Sequence, residues 1–173
     1  MTNINTNAAS SKEAVMKSVE NYLSQGELTI TSNDFSRPWG GFFVIDETLA
    51  DRFIKLYFPH LKMSDLTIVG KLSPKILVVA PGQRLSWQYH HRRAEIWKLI
   101  AGVAGAVTSE TDVEGPSKKI AIEEIIQVKQ GQRHRLVGLA NGWGVIAEIW
   151  RHTDANNPSD ENDIVRVQDD FGR

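Results

Sequence analysis

The sequence predicts an all-β fold, a small closed barrel or sandwich, and three observations carry that expectation. From Lys75 onward, short apolar runs recur at 76–79, 85–90, 95–101, 104–109, 120–128, 133–138 and 143–151. Such runs, broken by turn-forming residues, are the pattern of many short strands. Next, residues 85–90 alternate strictly. Ser86, Gln88 and His90 fall on one face and Leu85, Trp87 and Tyr89 on the other, because strand side chains point alternately up and down. Finally, the polar face of that strand carries groups that bind cations. A polar interior beside an apolar wall suits a barrel that encloses a site.

In chain order, residues 1–9 are polar and are expected to form a disordered tail. Ser10-Ser-Lys-Glu13 reads as a capping box opening a helix, and Val15, Met16, Val19, Tyr22 and Leu23 follow at helical spacing. Gly26 is its stop, so the N-terminal helix occupies 10–26. Short strands are expected at 28–31 and 42–45, the second entered through Arg37-Pro-Trp-Gly40. Asp46 then caps a second helix marked by Leu49, Phe53, Ile54, Leu56 and Tyr57, and Pro59 ends it. Residues 47–70 read as a helical insertion in the β domain of 27–173, with a lid or a subunit contact as roles open to it. In the β region, 85–90 and 95–101 are expected to pair as one hairpin. Residues 133–138 and 143–151 are expected to pair as another around Asn141-Gly142, a tight-turn dipeptide. Residues 112–116 form a turn by composition.

Four residues stand out as metal ligands: Gln88, His90, Glu95 and His134. Neutral imidazoles, a carboxylate and an amide oxygen suit Zn, Mn, Co, Fe or Ni, and affinity does not choose among them. With Glu95 the one anion in the set, a bound divalent ion keeps net positive charge and acts as a Lewis acid. Arg93, in the turn before Glu95, could pair with a phosphate or steady developing negative charge. Glu148 sits on a strand opposite in parity to Ala147 and Ile149. A carboxylate facing inward there is costly unless paired or used, so it serves as a catalytic base or holds an arginine. Arg84, Ser86, Lys75 and Arg135 are the substrate-binding candidates. His60, His91 and His152 read as solvated histidines.

The spacing Gly82-x5-Gln88-x-His90-x4-Glu95-x6-Gly102 resembles the first cupin motif, with glutamine at its first histidine position. Residues 129–138 resemble the second motif in degraded form, with Lys129 at the usual proline and Gly138 at the usual asparagine. More narrowly, the chain is similar to the C-terminal isomerase domain of type II mannose-6-phosphate isomerases, often fused to a mannose-1-phosphate guanylyltransferase. The matching pieces are Arg37-Pro-Trp-Gly40, Pro81–His90, Arg93-Ala-Glu-Ile-Trp97, Gly131–Leu136 and Asp163–Arg173. The resemblance implies a jelly-roll barrel (a double-stranded β-helix), a metal cofactor, and an arginine at Arg93 needed for isomerase activity. The closing run is expected to pair as a final strand over the barrel rim.

Composition narrows the partners. A net charge of −1 in 173 residues gives no bulk attraction to nucleic acid or membrane surfaces. The chain has no cysteine, so disulfides and thiolate metal sites are excluded. No secretory signal or membrane-length apolar run is seen, which sets the expectation of a cytoplasmic single-domain protein; by analogy, a homodimer. The expected activity is metal-dependent aldose–ketose isomerisation of a sugar phosphate, mannose 6-phosphate to fructose 6-phosphate. The competing classes are a metal-containing cupin that binds a sugar derivative without turnover, and a cupin oxygenase. No glycine-rich nucleotide loop precedes the barrel, so guanylyl transfer is not expected of this chain.

Overall fold

The structure is a computed structural model that describes residues 3–68 and 70–172. Met1 and Thr2 of the expected tail, Val69 of the expected insertion and the terminal Arg173 lie outside the described residues. Two antiparallel sheets face each other. In chain order the strands are β1 (Ile30–Asp34), β2 (Gly40–Ile45), β3 (Lys75–Val79), β4 (Trp87–Tyr89), β5 (Arg93–Gly102), β6 (Ala104–Ser109), β7 (Lys118–Ile120), β8 (Ile125–Val128), β9 (Arg133–Gly138), β10 (Gly144–His152) and β11 (Val165–Gln168). The larger sheet runs β1-β2-β3-β10-β5-β8, and the smaller runs β11-β4-β9-β6-β7. This is the expected jelly roll.

The pairing corrects two expected hairpins. β4 and β5 lie in different sheets, as do β9 and β10. The connections at 90–92 and 139–143 therefore cross from one sheet to the other instead of folding a strand back on its neighbour. The expected strand at 120–128 is also two strands. Glu123 takes a left-handed conformation (φ 69), and the chain passes there from β7 in the smaller sheet to β8 in the larger. The closing segment behaves as expected, with β11 pairing against β4.

Helix α1 (Lys12–Gln25) buries Val15, Met16, Val19 and Leu23. Its cap is Ser11, whose hydroxyl accepts from Ala14 N, one residue later than the expected Ser10. Gly26 closes the helix in a right-handed conformation, and the left-handed turn falls on Glu27 (φ 55). Asp46 accepts from Thr48 N and opens a short 3-10 turn at Glu47–Leu49, followed by α2 (Ala50–Tyr57) and the small α3 (Met63–Leu66). Phe53, Ile54, Tyr57 and Phe58 pack with α1 over Phe43, Ile76, Val78, Val145, Ala147 and Ile149. The segment expected as a lid or subunit contact thus covers the outer face of the larger sheet. Among the described residues, no helix is long and apolar enough to cross a membrane.

The expected disordered tail is fastened in its described part. Trp143 N donates to Thr6 O at 3.0 Å, Asn7 bridges to Gly142, and Asn5 N donates to Ser18 Oγ. Polar composition misled here because the anchoring is through backbone groups, which composition does not register.

Between the sheets, Leu77, Val79, Leu99, Ala106, Leu136 and Ile146 fill one end of the interior. The end of β9 presses on the 80–83 turn. Gly138 N donates to Gln83 O at 2.7 Å, and Gly82 N donates to Gly138 O at 3.2 Å. A Cβ on Gly138 would stand 1.9 Å from Ala80 O, so the packed turn requires glycine there. Gly138→Asn is therefore expected to lower stability by about 1–3 kcal/mol, the range of overpacked positions. Urea unfolding measures this, and an unmoved midpoint would mean that the turn yields.

Candidate metal centre

The other end of the interior is polar. Glu95 from β5 sits between two imidazoles, with His90 Nε2 at 3.1 Å from Oε1 and His134 Nε2 at 3.3 Å from Oε2. All three side chains are buried. One ligand atom from each lies within 4.8 Å of the others. Two strand positions bring the histidines together. β4 pairs with β9 so that Gln88 lies opposite His134. Gly131, left-handed at φ 75, turns the chain into β9 while its N–H donates to His90 O.

Hydrogen bonds fix both imidazoles in one tautomer. His90 Nδ1 lies 2.5 Å from Asp163 O, and His134 Nδ1 lies 2.9 Å from Gln132 O. A carbonyl can only accept, so each Nδ1 carries the proton and each Nε2 offers a lone pair. These lone pairs converge on the Glu95 carboxylate. His134 Nε2 is buried with no hydrogen-bond partner. Burial opposes ionisation of Glu95, and positive charge beside it, on either imidazole when that ring is protonated and on the Arg93 guanidinium, outweighs burial and holds its carboxyl well below the ordinary range. Burial also pushes His90 down, against the pull of Glu95, so that ring resists a second proton. Electron-rich atoms collected in this way are satisfied by a cation, a role that the Arg93 guanidinium fills at Glu95 Oε1 and His90 Nε2 and leaves open at His134 Nε2. Orientation of ligating histidines by carbonyls is the usual device of metal sites. The residues fit a divalent ion.

A cavity of about 120 Å³ opens beside this cluster, lined in part by Glu95, Glu148, Arg93, Gln88, Ser86 and Lys75. It is several times the space one water requires. Gln88, the fourth expected ligand, faces this cavity and its Oε1 accepts from Ser86 Oγ at 2.5 Å. On the opposite face Trp87 is buried and donates to Asp112 O, while Tyr89 stacks under Arg133. The expected alternation is therefore present from Trp87 onward, whereas Leu85, expected on the face of Trp87, lines the cavity with Ser86 and Gln88 because the regular strand begins only at Trp87.

Arg93 is buried and heavily engaged. It donates to Glu95 Oε1 (2.8 Å), Ser159 Oγ (2.9 Å), Asp160 O (3.0 Å) and His90 Nε2 (3.1 Å). Its guanidinium also lies 3.6 Å from the centroid of the Trp150 ring. Glu148 is held by two indoles, accepting from Trp97 Nε1 at 2.9 Å and Trp150 Nε1 at 3.1 Å. Burial, reinforced by the nearby charge of Glu95, raises its carboxyl to about 7. Lys75 pairs with Glu161 and stacks on Trp150.

Two expected substrate-binding residues lie elsewhere. Arg84 pairs with Asp170 at 2.6 Å, and Arg135 is buried against Glu114 at 2.8 Å. Neither lines the cavity. Arg135 follows His134 on a strand and so points away from it. In their place Arg37 and Arg166 line the cavity. In the sequence Arg37 stands out only as part of Arg37-Pro-Trp-Gly40, the entry to a strand; in the structure Lys12 from α1 holds Arg37 O and fixes the turn at the cavity. His152, expected in solvent, is buried. It accepts from Ser159 N, and burial pushes it down to about 4.

Comparisons with known proteins agree with this architecture. A mannose-1-phosphate guanylyltransferase of Escherichia coli is 29% identical over 119 residues, 69% of this chain and 23% of that protein. The alginate biosynthesis protein AlgA of Pseudomonas aeruginosa is 30% identical over 122 residues, again 69% and 23%. The chain spans about a quarter of the length of these relatives. Capsular polysaccharide assembling protein CapF of Staphylococcus aureus shares the fold, with a TM-score of 0.52 at 12% identity over 82% of this chain and 34% of CapF. A family model described as "Mannose-6-phosphate isomerase C-terminal" matches residues 46–169, a span that takes in the helical segment, the three clustered ligands and most of the closing run. With that match over most of its length, and a jelly roll that brings His90, Glu95 and His134 together, the chain belongs to the mannose-6-phosphate isomerase C-terminal family of cupins.

Proposed function

We propose that the chain is a metal-dependent aldose–ketose isomerase that interconverts mannose 6-phosphate and fructose 6-phosphate. The observation that carries this reading is the shared cavity: Glu95 of the ligand cluster and Glu148, a carboxyl raised to about 7, both line it. Isomerisation moves one proton from C2 to C1 and one hydroxyl proton from O2 to O1. Glu148 suits the first transfer because a group titrating near neutrality can both take and return a proton. The two indole N–H groups fix where its oxygens point. A divalent ion held by His90, Glu95 and His134 would supply Lewis-acid polarisation of the sugar carbonyl. Lys75, Arg37 and Arg166 are the cations that would receive the phosphate. AlgA and CapF are named for polysaccharide synthesis, which supports placing the reaction among precursors of such polymers.

The test uses purified full-length chain with Mn, Co, Zn, Fe or Ni, scored for fructose 6-phosphate formation. Turnover with at least one ion, lost on chelation, is expected. No turnover with any of them, on mannose 6-phosphate or related sugar phosphates, would end the reading. A sugar-binding module without turnover has one observation in its favour: Arg93 is anchored by five hydrogen-bond partners, which leaves it little to offer a substrate. Calorimetric binding of the sugar phosphate with no product formed would select that alternative.

A further inference from the structure

The C-terminal segment is built into the ligand cluster through one residue. Asp163 Oδ1 accepts from His91 N at 3.0 Å, and Oδ2 accepts from Arg92 N at 2.9 Å and from Ser159 Oγ at 2.7 Å. Its carboxylate thus ties down the two residues that link His90 to Arg93, where the chain crosses between sheets. Its carbonyl accepts from His90 Nδ1 and, at 3.5 Å, from Arg93 Nη1. Ser159 connects the same points, since its Oγ also accepts from Arg93 Nη1. Asp163 is buried although the segment around it is mostly exposed. Its three hydrogen-bond donors are two backbone N–H groups and a hydroxyl, with the Arg92 guanidinium farther off at 3.8 Å, so this buried carboxylate is placed to order backbone. The held backbone carries one metal ligand and the arginine that touches two.

We propose that Asp163 is a positioning residue of the metal centre: its carboxylate fixes the 90–93 crossing, and its carbonyl sets His90 in the Nδ1–H form, aiming the Nε2 lone pair at the ion. His134 is set independently, by Gln132 O, and provides an internal control. The inference rests on the metal-centre reading and is independent of the sugar reaction.

Asp163→Ala in the full chain tests it by two readouts. The first is the ¹⁵N signature of the histidine rings in metal-free protein. Alanine keeps the carbonyl but removes the carboxylate that holds it in place against the 90–93 crossing, so His90 is expected to change from the single Nδ1–H form to a mixture of tautomers, while His134 keeps its form. The second is Zn and Co affinity by chelator competition, expected to weaken about 10- to 100-fold, as for other groups that orient ligands. Asp163→Asn retains one side-chain acceptor for the turn amides and the shape of aspartate. It should fall between wild type and Asp163→Ala, and it carries the test alone if the alanine variant does not fold. Variants with an unaltered His90 tautomer and wild-type metal affinity would overturn the role of Asp163. Wild-type protein that binds neither ion would instead remove the metal centre, and the proposal with it. The two failures are distinguishable because the first leaves wild-type affinity intact.

Discussion

Glu95→Gln is expected to weaken divalent metal binding by more than about 100-fold, beyond the usual loss from changing a residue that merely orients a ligand. Glu95 is the one carboxylate in the ligand cluster, with an imidazole on each oxygen. Glutamine keeps the shape and one acceptor but removes the negative charge that holds the cation. The same change reaches into the fold. Arg93 is buried, and its Nε donates to Glu95 Oε1. Removing one partner of a buried ion pair typically costs about 3–5 kcal/mol because the remaining charge stays desolvated. The lower figure is expected here, since Arg93 keeps Ser159, Asp160 and the Trp150 ring as neighbours. Chelator competition gives the affinity, and urea unfolding of the metal-free protein gives the stability. Wild-type affinity in this variant would show that the carboxylate is not a ligand.

The faces of the strands were legible in the sequence, whereas their neighbours were not. Alternation in 85–90 places Gln88 and His90 on the polar side without reference to any other strand. Pairing depends on where the chain goes after Tyr89, and nothing in His90-His-Arg-Arg93 distinguishes a hairpin turn from a crossing between sheets. The split of 120–128 was hidden for a similar reason. Its break falls on Glu123, a residue with no turn signal, held by Leu99 O accepting from its N–H.

The centre of the site was legible because imidazole and carboxylate at that spacing have few other uses. Its surroundings were less so. Arg135 could have been excluded by parity, since it adjoins His134 on one strand. Arg37 could not have been found, because its place depends on α1 gripping the turn from across the molecule. Asp163 gave no local hint, as its partners lie about seventy positions away. His152 was misplaced because β10 runs to the end of an apparently polar stretch.

Glu148→Gln is expected to lower turnover about 10²- to 10⁴-fold, the usual contribution of a positioned acid–base group, with metal affinity retained. The stability of metal-free protein gives a second, independent reading. Burial raises the Glu148 carboxyl from 4.5 to about 7, so the folded state holds this proton more tightly than the unfolded chain. Stability associated with that proton is complete below about 4.5 and is lost as pH rises through about 7. Glutamine is neutral at every pH and avoids the loss, although its amide nitrogen cannot accept and leaves one indole N–H without its acceptor, a cost that does not vary with pH. The variant should therefore gain on wild type between pH 5 and 8, by about 3 kcal/mol when a shift of this size is converted at 1.36 kcal/mol per unit. Urea midpoints of both proteins across that range measure the difference. A constant gap would show that Glu148 titrates as an ordinary carboxylate, and full turnover in the variant would remove it from the proton transfer. A gap that opens with pH, together with slow turnover and undisturbed metal binding, would tie the buried carboxyl to the chemistry of the cavity.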